Sequence, residues 1–270
     1  MRPDRLALHT WTLDTTPLPA VVDAAKATGW HALELRRLDF ARARDAGRSA
    51  DEVFALVKGS GLPVACVGVQ LGWLFAEGDE RARLLEAFAE SCRWASALGC
   101  ATIMSPVDPG QGNLDRAVES VREVGEIAAK HGVRLALEFN SVAQQFNSLE
   151  RVRELTLRAG HPRCGILLDT YHLGRSGATI EAVRALSLDE IAYVQYSDVP
   201  REGHQPGVTT DRLPPGRGTY PFPEFFRLLE DKGYMGYLSY EAPNPASWAR
   251  DPVQVAKEAI EATRVVLAAG

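Results

Sequence analysis

The sequence predicts a (β/α)8 barrel, the TIM-barrel fold, formed by residues 1–270 as a single domain. Eight short apolar runs alternate with helical patterns, and their mean spacing is close to one eighth of the 270-residue chain. A length of about 250 residues is typical of this fold. The alternative is an open doubly wound sheet, which usually carries a glycine-rich phosphate turn after its first strand. The corresponding turn here, HTWTLDTTPLP, contains no glycine and therefore favours the barrel.

The eight apolar runs have the composition of strands that are buried on both faces, as the strands of a parallel barrel are. No linker or low-complexity segment interrupts their order. The predicted strands are LALHT (6–10), HALELR (31–36), VACVGVQ (64–70), ATIMSP (101–106), RLALEF (134–139), GILLDT (165–170), AYVQYSD (192–198) and GYLSYE (236–241).

The gaps between these strands carry apolar residues at three- and four-residue spacing, which predicts amphipathic helices. Capping residues and glycines mark several of their ends. The predicted helices cover 19–28, 51–58, 80–98, a segment between Asn113 and Gly132, a segment that begins at Ser148, a short segment after Thr179, 222–232, and a final segment that begins at Asp251 and Pro252.

Three strand-to-helix connections are longer than the usual few residues. They follow strands 3, 7 and 8 and read LGWLFAEGD, VPREGHQPGVTTDRLPPGRGTYP and APNPASWAR. In a barrel all three lie on the C-terminal face, where such enzymes carry their chemistry. The loop lengths therefore predict which face of the barrel holds the site.

Composition restricts the class of partner. The formal net charge of -5 and the pI of about 5.7 argue against nucleic acid, which favours a basic face. No apolar run approaches the roughly 20 residues of a membrane span. We therefore expect a small-molecule substrate, with no nucleic-acid or membrane partner.

The cysteines and the start of the chain predict a cytoplasmic protein. The opening MRPDRLALHTW has too few apolar residues for a signal peptide. The cysteines are scattered, form no CxxC pair, and are typical of buried thiols in a reduced compartment. They are Cys66, Cys92, Cys100 and Cys164.

Polar residues with metal-binding oxygens end four neighbouring strands. Taken singly, each has an ordinary alternative as a satisfied polar group that closes a strand. Together, three carboxylates and an amide oxygen suit Mg²⁺ or Mn²⁺ better than zinc, and converging carboxylates without a cation would repel one another. We therefore predict one divalent-cation site, whose ligands are Glu138, Asp169, Gln195 and Glu241.

The run Asp169-Thr170-Tyr171-His172 is the most specific part of this pattern. A histidine three residues after a strand-ending aspartate places its imidazole over the strand end, beside the metal. The alternative is a histidine that is hydrogen-bonded at the start of a helix.

The order LxLEF, LLDTYH, VQYSDVPR and SYE resembles the xylose isomerase-like barrels, a family of sugar isomerases, epimerases and related enzymes. The likeness covers the eightfold pattern and is most specific between residues 134 and 241. It implies that Mn²⁺, Mg²⁺ or Co²⁺ binds the four residues named above. It also implies that Glu138 and Glu241 act as the acid/base pair, and that His172 and Arg201 bind substrate. Dimers and tetramers are common in the family.

The glutamine at position 195 departs from the ketose 3-epimerases, which use histidine there. VQYSDVPR is closer to hydroxypyruvate isomerase and to the dehydroshikimate and inosose dehydratases. The apurinic endonucleases share the fold but need more histidines for three zinc ions than the six of this chain provide.

The resemblance implies chemistry that begins with removal of a proton α to a carbonyl, through an enediolate that the cation stabilises. Return of a proton gives isomerisation or epimerisation of a sugar or hydroxy-keto acid, which is the favoured prediction. Loss of a β-hydroxyl gives dehydration, as in a metal-dependent 3-dehydroshikimate or inosose dehydratase, which is the alternative. A non-catalytic sugar-binding barrel would need no metal.

Residues that end the first three strands, together with a tryptophan in the loop after the first strand, and residues of the long loop after strand 7 are secondary candidates. The former could bind substrate hydroxyls or wall the pocket, and the latter could meet a carboxylate or phosphate. Ordinary packing and a solvated basic loop are the respective alternatives. The candidates are His9, Trp11, Glu34 and Gln70 in the first group, and Arg201, His204, Arg212 and Arg217 in the second.

Overall fold

The computed structural model describes residues 5–270, in which eight parallel strands close into a barrel in chain order. The last strand pairs with the first, which confirms the predicted (β/α)8 fold. The strands are β1 (Leu6–His9), β2 (Ala32–Leu35), β3 (Val64–Gly68), β4 (Thr102–Pro106), β5 (Arg134–Glu138), β6 (Cys164–Asp169), β7 (Ile191–Tyr196) and β8 (Leu238–Tyr240).

Helices surround the barrel, and two short 3-10 segments, Thr10–Leu13 and Leu188–Glu190, flank β1 and β7. The helices are α1 (Leu18–Thr28), α2 (Arg37–Asp45), α3 (Ala50–Ser60), α4 (Gly78–Ala97), α5 (Leu114–Lys130), α6 (Leu149–Ala159), α7 (Thr170–Ser176), α8 (Ile180–Arg184), α9 (Phe222–Asp231), α10 (Pro245–Trp248) and α11 (Pro252–Ala268).

Every strand lies within two residues of its predicted bounds, and eight of the helices match predicted segments. The sequence patterns did not predict α2, α7 and α10. Helix α2 is rich in charge and has little apolar periodicity, and α10 is a single turn. Helix α7 begins at Thr170, inside the predicted sixth strand, because the Asp169 side chain caps it and ends the strand one residue earlier.

The strands place their side chains alternately outside and inside the barrel. Outward leucines and valines pack against the helices. The inward positions form a second, smaller apolar cluster that includes Ala136, Leu167 and Tyr193. Two residues further along the same strands, the same inward face carries Glu138, Asp169 and Gln195. Strand periodicity alone therefore puts these polar groups above an apolar floor, at the C-terminal mouth.

The connection between β7 and α9, residues 197–221, folds back over the mouth, and we call it the strap. Asp198 and Leu213 exchange backbone hydrogen bonds of 2.7 and 3.1 Å across it. The buried Asp198 carboxylate accepts hydrogen bonds from the backbone N–H groups of Gly218 and Tyr220, at 2.7 and 2.9 Å. The aspartate thus fixes both ends of the strap, whose middle crosses the strand ends.

Two expectations from composition can be compared with the described part of the chain. The four cysteines are buried free thiols, as predicted. Among residues 5–270, no helix is long and apolar enough to cross a membrane. The expectation about a signal peptide falls partly on residues 1–4, which lie outside the described residues.

Candidate active site

Three of the four strand-ending residues meet at the mouth of the barrel. Glu138, Asp169 and Glu241 are all buried, as is His172 at the start of α7. An oxygen of Glu138, an oxygen of Asp169 and a ring nitrogen of His172 lie within 4.8 Å of one another. The ends of β5, β6 and β8 therefore bring carboxylates and an imidazole to one place, as the topology of neighbouring strands requires.

The two carboxylate oxygens of Asp169 make different contacts. Its Oδ1 caps α7, accepting the backbone N–H groups of Tyr171 at 2.7 Å and His172 at 3.4 Å. Its Oδ2 takes no part in this cap and is available to the other groups of the site. This cap also explains the geometry of the Asp-Thr-Tyr-His run, because the first turn of α7 places His172 beside the aspartate.

The largest addition to the predicted site is Arg212, a buried residue of the strap. Its Nη1 donates to Asp169 Oδ2 at 2.6 Å and to Glu241 Oε2 at 2.9 Å. Its Nη2 lies 3.2 Å from His172 Nε2, and its guanidinium covers the ring of Tyr171 at 4.5 Å. The sequence predicted Arg212 only as one of several basic residues in the long loop.

The tautomer of His9 follows from its partners, whereas His172 faces N–H donors on both sides. Arg212 Nη2 lies 3.2 Å from His172 Nε2, and the backbone N–H of Ser141 lies 3.3 Å from Nδ1, which is also 2.9 Å from Ser141 Oγ. His9 Nδ1 accepts from the backbone N–H of Trp11 at 3.0 Å, so its Nε2 carries the proton. That Nε2 lies 3.2 Å from Glu241 Oε1.

Both rings are neutral. Burial lowers the pKa of His172 to about 3; the charge of Asp169 opposes this shift, and the charges of Arg212 and Arg175 add to it. Burial likewise lowers the pKa of His9 well below its usual value, helped by Arg36 and Arg212. Neither ring competes with a cation for the carboxylates.

Gln195 lies beside this group and belongs to a second set of contacts. Its Nε2 donates to Glu34 Oε1 at 2.8 Å. The same glutamate oxygen lies 3.6 Å from His9 Nε2. His9 therefore connects Glu34 with Glu241, and the ends of β1, β2, β7 and β8 form a continuous polar layer with the acidic residues.

The site carboxylates differ in their tendency to ionise. Burial raises the pKa of Glu138 well above its usual value, and the charges of Asp169 and Glu241 add to this effect. Burial raises the pKa of Glu241 to about 8, although Arg212 opposes it. Burial would also raise the pKa of Asp169, but Arg212 and His172 bring it down to about 2. Perturbations of this kind cluster at functional sites.

The chemistry of these groups fits a hard divalent cation. Several buried side-chain oxygens among residues 5–270 have no hydrogen-bond partner, and three of them lie at the ends of barrel strands: Glu138 Oε1 and Gln195 Oε1, which belong to the predicted ligands, and Glu34 Oε2. Buried acceptors are normally satisfied, and a cation would satisfy oxygens of this type. The oxygens of Asp169 and Glu241 that face the site are those held by Arg212.

The secondary candidates are distributed unevenly. Trp11 is half-buried after β1, where its carbonyl accepts the Trp248 indole N–H at 3.1 Å. Gln70 is exposed in the loop after β3, and Arg201 is exposed on the strap. The structure therefore brings His9 and Glu34 to the carboxylates, places Trp11 at the rim, and leaves Gln70 and Arg201 on the surface.

A cluster that the sequence did not indicate joins the strap to α7. The Tyr171 hydroxyl donates to Asp211 Oδ1, and Arg175 Nη1 donates to that hydroxyl at 2.7 Å. His204 Nδ1 lies 3.1 Å from Asp211 Oδ2. This cluster fixes the residue that precedes Arg212.

Comparison with known proteins agrees with the resemblance seen in the sequence. A sequence model of the xylose isomerase-like TIM barrel family matches residues 22–265. An inosose isomerase from Halalkalibacterium halodurans is 29% identical over 147 residues, which cover 52% of this chain and 51% of that protein. A 3-dehydroshikimate dehydratase from Pseudomonas putida is 29% identical over 141 residues, which cover 49% of this chain and 21% of that protein. The match thus spans about half, or less, of these relatives.

A solved structure shares the whole fold. The crystal structure of the IOLI protein with a zinc atom superposes with a TM-score of 0.88 and covers 98% of both chains. The sequence identity is 17%, so this likeness concerns the fold.

Proposed function

We propose that the chain, which belongs to the xylose isomerase-like TIM barrel family, is a metal-dependent isomerase or epimerase of a small sugar or hydroxy-keto acid. The reaction begins with removal of a proton from the carbon next to a carbonyl. The observation that carries the proposal is the meeting of Glu138, Asp169 and Glu241 at the barrel mouth, where Glu138 keeps an oxygen without a hydrogen-bond partner among residues 5–270.

We assign the cation to Glu138, Asp169, Gln195 and Glu241. Mn²⁺ or Mg²⁺ suits this oxygen set best, and Co²⁺ is the next choice. The zinc atom in the related IOLI structure supports a divalent ion at a barrel of this kind. When bound, the cation supplies Lewis acidity that stabilises negative charge on the substrate oxygens.

The two glutamates move the protons. Burial favours the protonated form of both side chains in the metal-free protein, and a bound cation would favour the ionised form that a general base requires. One glutamate removes the α-proton, and the other returns a proton to the neighbouring carbon or to the opposite face of the same carbon. His9 supports Glu241, because its Nε2 lies 3.2 Å from Oε1 of that glutamate. We propose that His172, together with His9 and Glu34 beside the carboxylates, binds the substrate, and that Trp11 at the rim and Arg201 and Gln70 in the surface loops contribute to binding.

A metal-dependent dehydratase of the 3-dehydroshikimate or inosose type is the second candidate. Two observations favour it: glutamine, rather than histidine, at position 195, and the 29% match with the Pseudomonas putida dehydratase. The same proton would be removed first, and a β-hydroxyl would then leave as water. A rise in conjugated-enone or aromatic absorbance with such substrates, and none with ketoses, would identify this outcome.

Exchange of the substrate α-proton with solvent deuterium tests the shared first step. NMR would follow ketoses, hydroxypyruvate, inosose and dehydroshikimate in the presence of Mg²⁺. We expect exchange with wild-type protein and a loss of roughly 100-fold or more in Glu138→Gln and Glu241→Gln. Glu224→Gln, on the exposed side of α9, is the matched control and should retain full exchange.

Two outcomes would overturn this proposal. Full exchange in either site variant would remove that glutamate from the acid/base pair. Substrate binding without metal and without exchange would instead identify a sugar-binding barrel.

A further inference from the structure

We propose that Arg212 is an exchangeable occupant of the cation site. Its guanidinium holds Asp169 and Glu241 together when no divalent ion is bound, and it must leave them before a divalent ion can bind. The inference rests on the proposed metal site. It adds a residue of the strap that competes with the metal and thereby sets the metal affinity.

The first argument is that the two cations need the same oxygens. Asp169 Oδ1 is engaged by the backbone N–H groups that start α7, and Glu241 Oε1 faces His9 Nε2 at 3.2 Å. The remaining oxygens, Asp169 Oδ2 and Glu241 Oε2, both accept from Arg212 Nη1, at 2.6 and 2.9 Å. A divalent ion that bridges the same two oxygens, at about 2.0–2.2 Å from each, would compete with the bridging Nη1 for their lone pairs and would be repelled by its charge.

The second argument is that the guanidinium satisfies only some of the buried acceptors at the site. It reaches Asp169 and Glu241, but Glu138 Oε1 and Gln195 Oε1 remain buried acceptors without a hydrogen-bond partner in residues 5–270. Leaving such acceptors unsatisfied is costly. A divalent ion binds more oxygens than the guanidinium nitrogen does and could satisfy these acceptors, so the arrangement favours exchange of the guanidinium for the ion.

The third argument concerns how Arg212 is anchored. Its main chain is fixed, because its carbonyl accepts the Asn244 side-chain N–H at 3.1 Å and the next residue, Leu213, pairs with Asp198. Beyond the two carboxylates, the guanidinium donates from Nε to Thr209 O at 3.1 Å and from Nη1 to Glu241 O at 3.3 Å, lies 3.2 Å from His172 Nε2 and covers the ring of Tyr171. Exchange therefore requires rotation of one side chain and leaves the barrel and the strap backbone in place.

Mn²⁺ binding to metal-free, full-length protein tests the inference by calorimetry. Arg212→Met should bind Mn²⁺ with a dissociation constant roughly tenfold or more below that of the wild type, because no guanidinium has to be displaced. Arg217→Met removes the same charge from an exposed position of the strap and should change the constant by less than about twofold. Equal or weaker binding by Arg212→Met would overturn the inference.

Two further measurements guard against a variant that folds poorly. Arg212→Lys keeps the charge but replaces the planar guanidinium and its three nitrogens with one ammonium nitrogen, and its Mn²⁺ affinity should lie between those of wild-type protein and Arg212→Met. In wild-type protein labelled with ¹⁵N-arginine, the guanidinium signal that Arg212→Lys lacks should shift on addition of one equivalent of Mg²⁺. A bound ion with an unmoved signal would overturn the inference.

The outcomes separate this inference from the proposed function. Equal Mn²⁺ affinity in all variants would leave the metal site in place and remove the role of Arg212. The absence of Mn²⁺ binding in every variant, including Arg212→Met, would overturn both.

Discussion

Glu34 at the end of β2 and Asp169 at the end of β6 are both fully buried carboxylates at the barrel mouth, yet their pKa values shift in opposite directions. Burial raises the pKa of Glu34 to about 7, because the hydrogen bonds that it receives, such as that of Gln195, come from neutral groups. Asp169 experiences the same burial, but the guanidinium of Arg212 brings its pKa down to about 2.

For this pair, the charge of the partner, and not the depth of burial, decides the direction of the pKa shift, whereas burial raises the pKa of Glu241 although the same guanidinium opposes it. On the β6 and β8 side a cation is built into the arrangement, in the form of Arg212 from the strap. On the β2 side, Glu34 accepts from the Gln195 amide at 2.8 Å and lies 3.6 Å from the neutral ring of His9. We therefore expect a divalent ion to bind on the β6 and β8 side, where the guanidinium of Arg212 already contacts the carboxylates.

The largest expected effect comes from removing the charge of Asp169. Asp169→Asn keeps an oxygen that can cap α7 but leaves Arg212 with one fewer carboxylate, so metal-free protein should lose about 3–5 kcal/mol of unfolding free energy. Urea unfolding at pH 7 measures it. Glu34→Gln is the matched change on the other side and should cost less than about 1 kcal/mol. Equal losses would remove the contrast between the two carboxylates.

The next largest effect is expected in the pH dependence of the unfolding free energy, because the pKa of Glu34 is raised. Its folded pKa of about 7 lies above its ordinary value of 4.5, so the proton it retains stabilises the fold at low pH. That contribution falls as the pH rises from 4.5 through 7. Relative to Glu34→Gln, metal-free wild-type protein should lose up to about 3 kcal/mol of unfolding free energy between pH 5 and pH 8. Parallel curves for the two proteins would refute the raised pKa.

A smaller effect is expected where the strap is fastened. A Cβ added to Gly218 would lie 2.1 Å from Val199 O and 2.6 Å from Asp198 Oδ1. Gly218→Ala should therefore destabilise the protein by about 1–3 kcal/mol. Gly110→Ala, which meets open space, should stay within about 0.5 kcal/mol. Thermal unfolding of both variants provides the comparison, and an unaffected Gly218→Ala would show that the strap is not fixed there.

The smallest effect on stability is expected for Arg201, which is exposed on the strap. Arg201→Met should change the unfolding free energy by less than about 0.5 kcal/mol. If Arg201 binds substrate, as the family resemblance implies, the same variant should raise KM while stability stays constant. An unchanged KM would leave Arg212 as the functional arginine of the strap.

The sequence predicted the barrel well because its signals are local and repeated. Apolar runs separated by helical patterns located all eight strands. The alternation of side chains along a strand predicted that Glu138 and Asp169 point into the same mouth of the barrel. The predicted end of β6 was one residue too late, because the side chain of Asp169 caps α7 and thereby ends the strand.

Arg212 could not be assigned from sequence, because its role depends on contacts with residues 43 and 29 positions away. Nothing in the local pattern distinguishes it from Arg201 or Arg217, which remain exposed on the same strap. The signal that could have separated it is its position beside Leu213, the residue whose pairing with Asp198 draws this part of the strap inward.

The central claim is that removal of the α-proton depends on a divalent ion at the carboxylates. Its most direct test is solvent-deuterium exchange of the substrate α-proton, followed by NMR in one sample through three stages: with Mg²⁺, after EDTA, and after Mg²⁺ is restored. The account predicts exchange in the first stage, its loss in the second and its return in the third. Exchange that continues at the same rate in EDTA would contradict it.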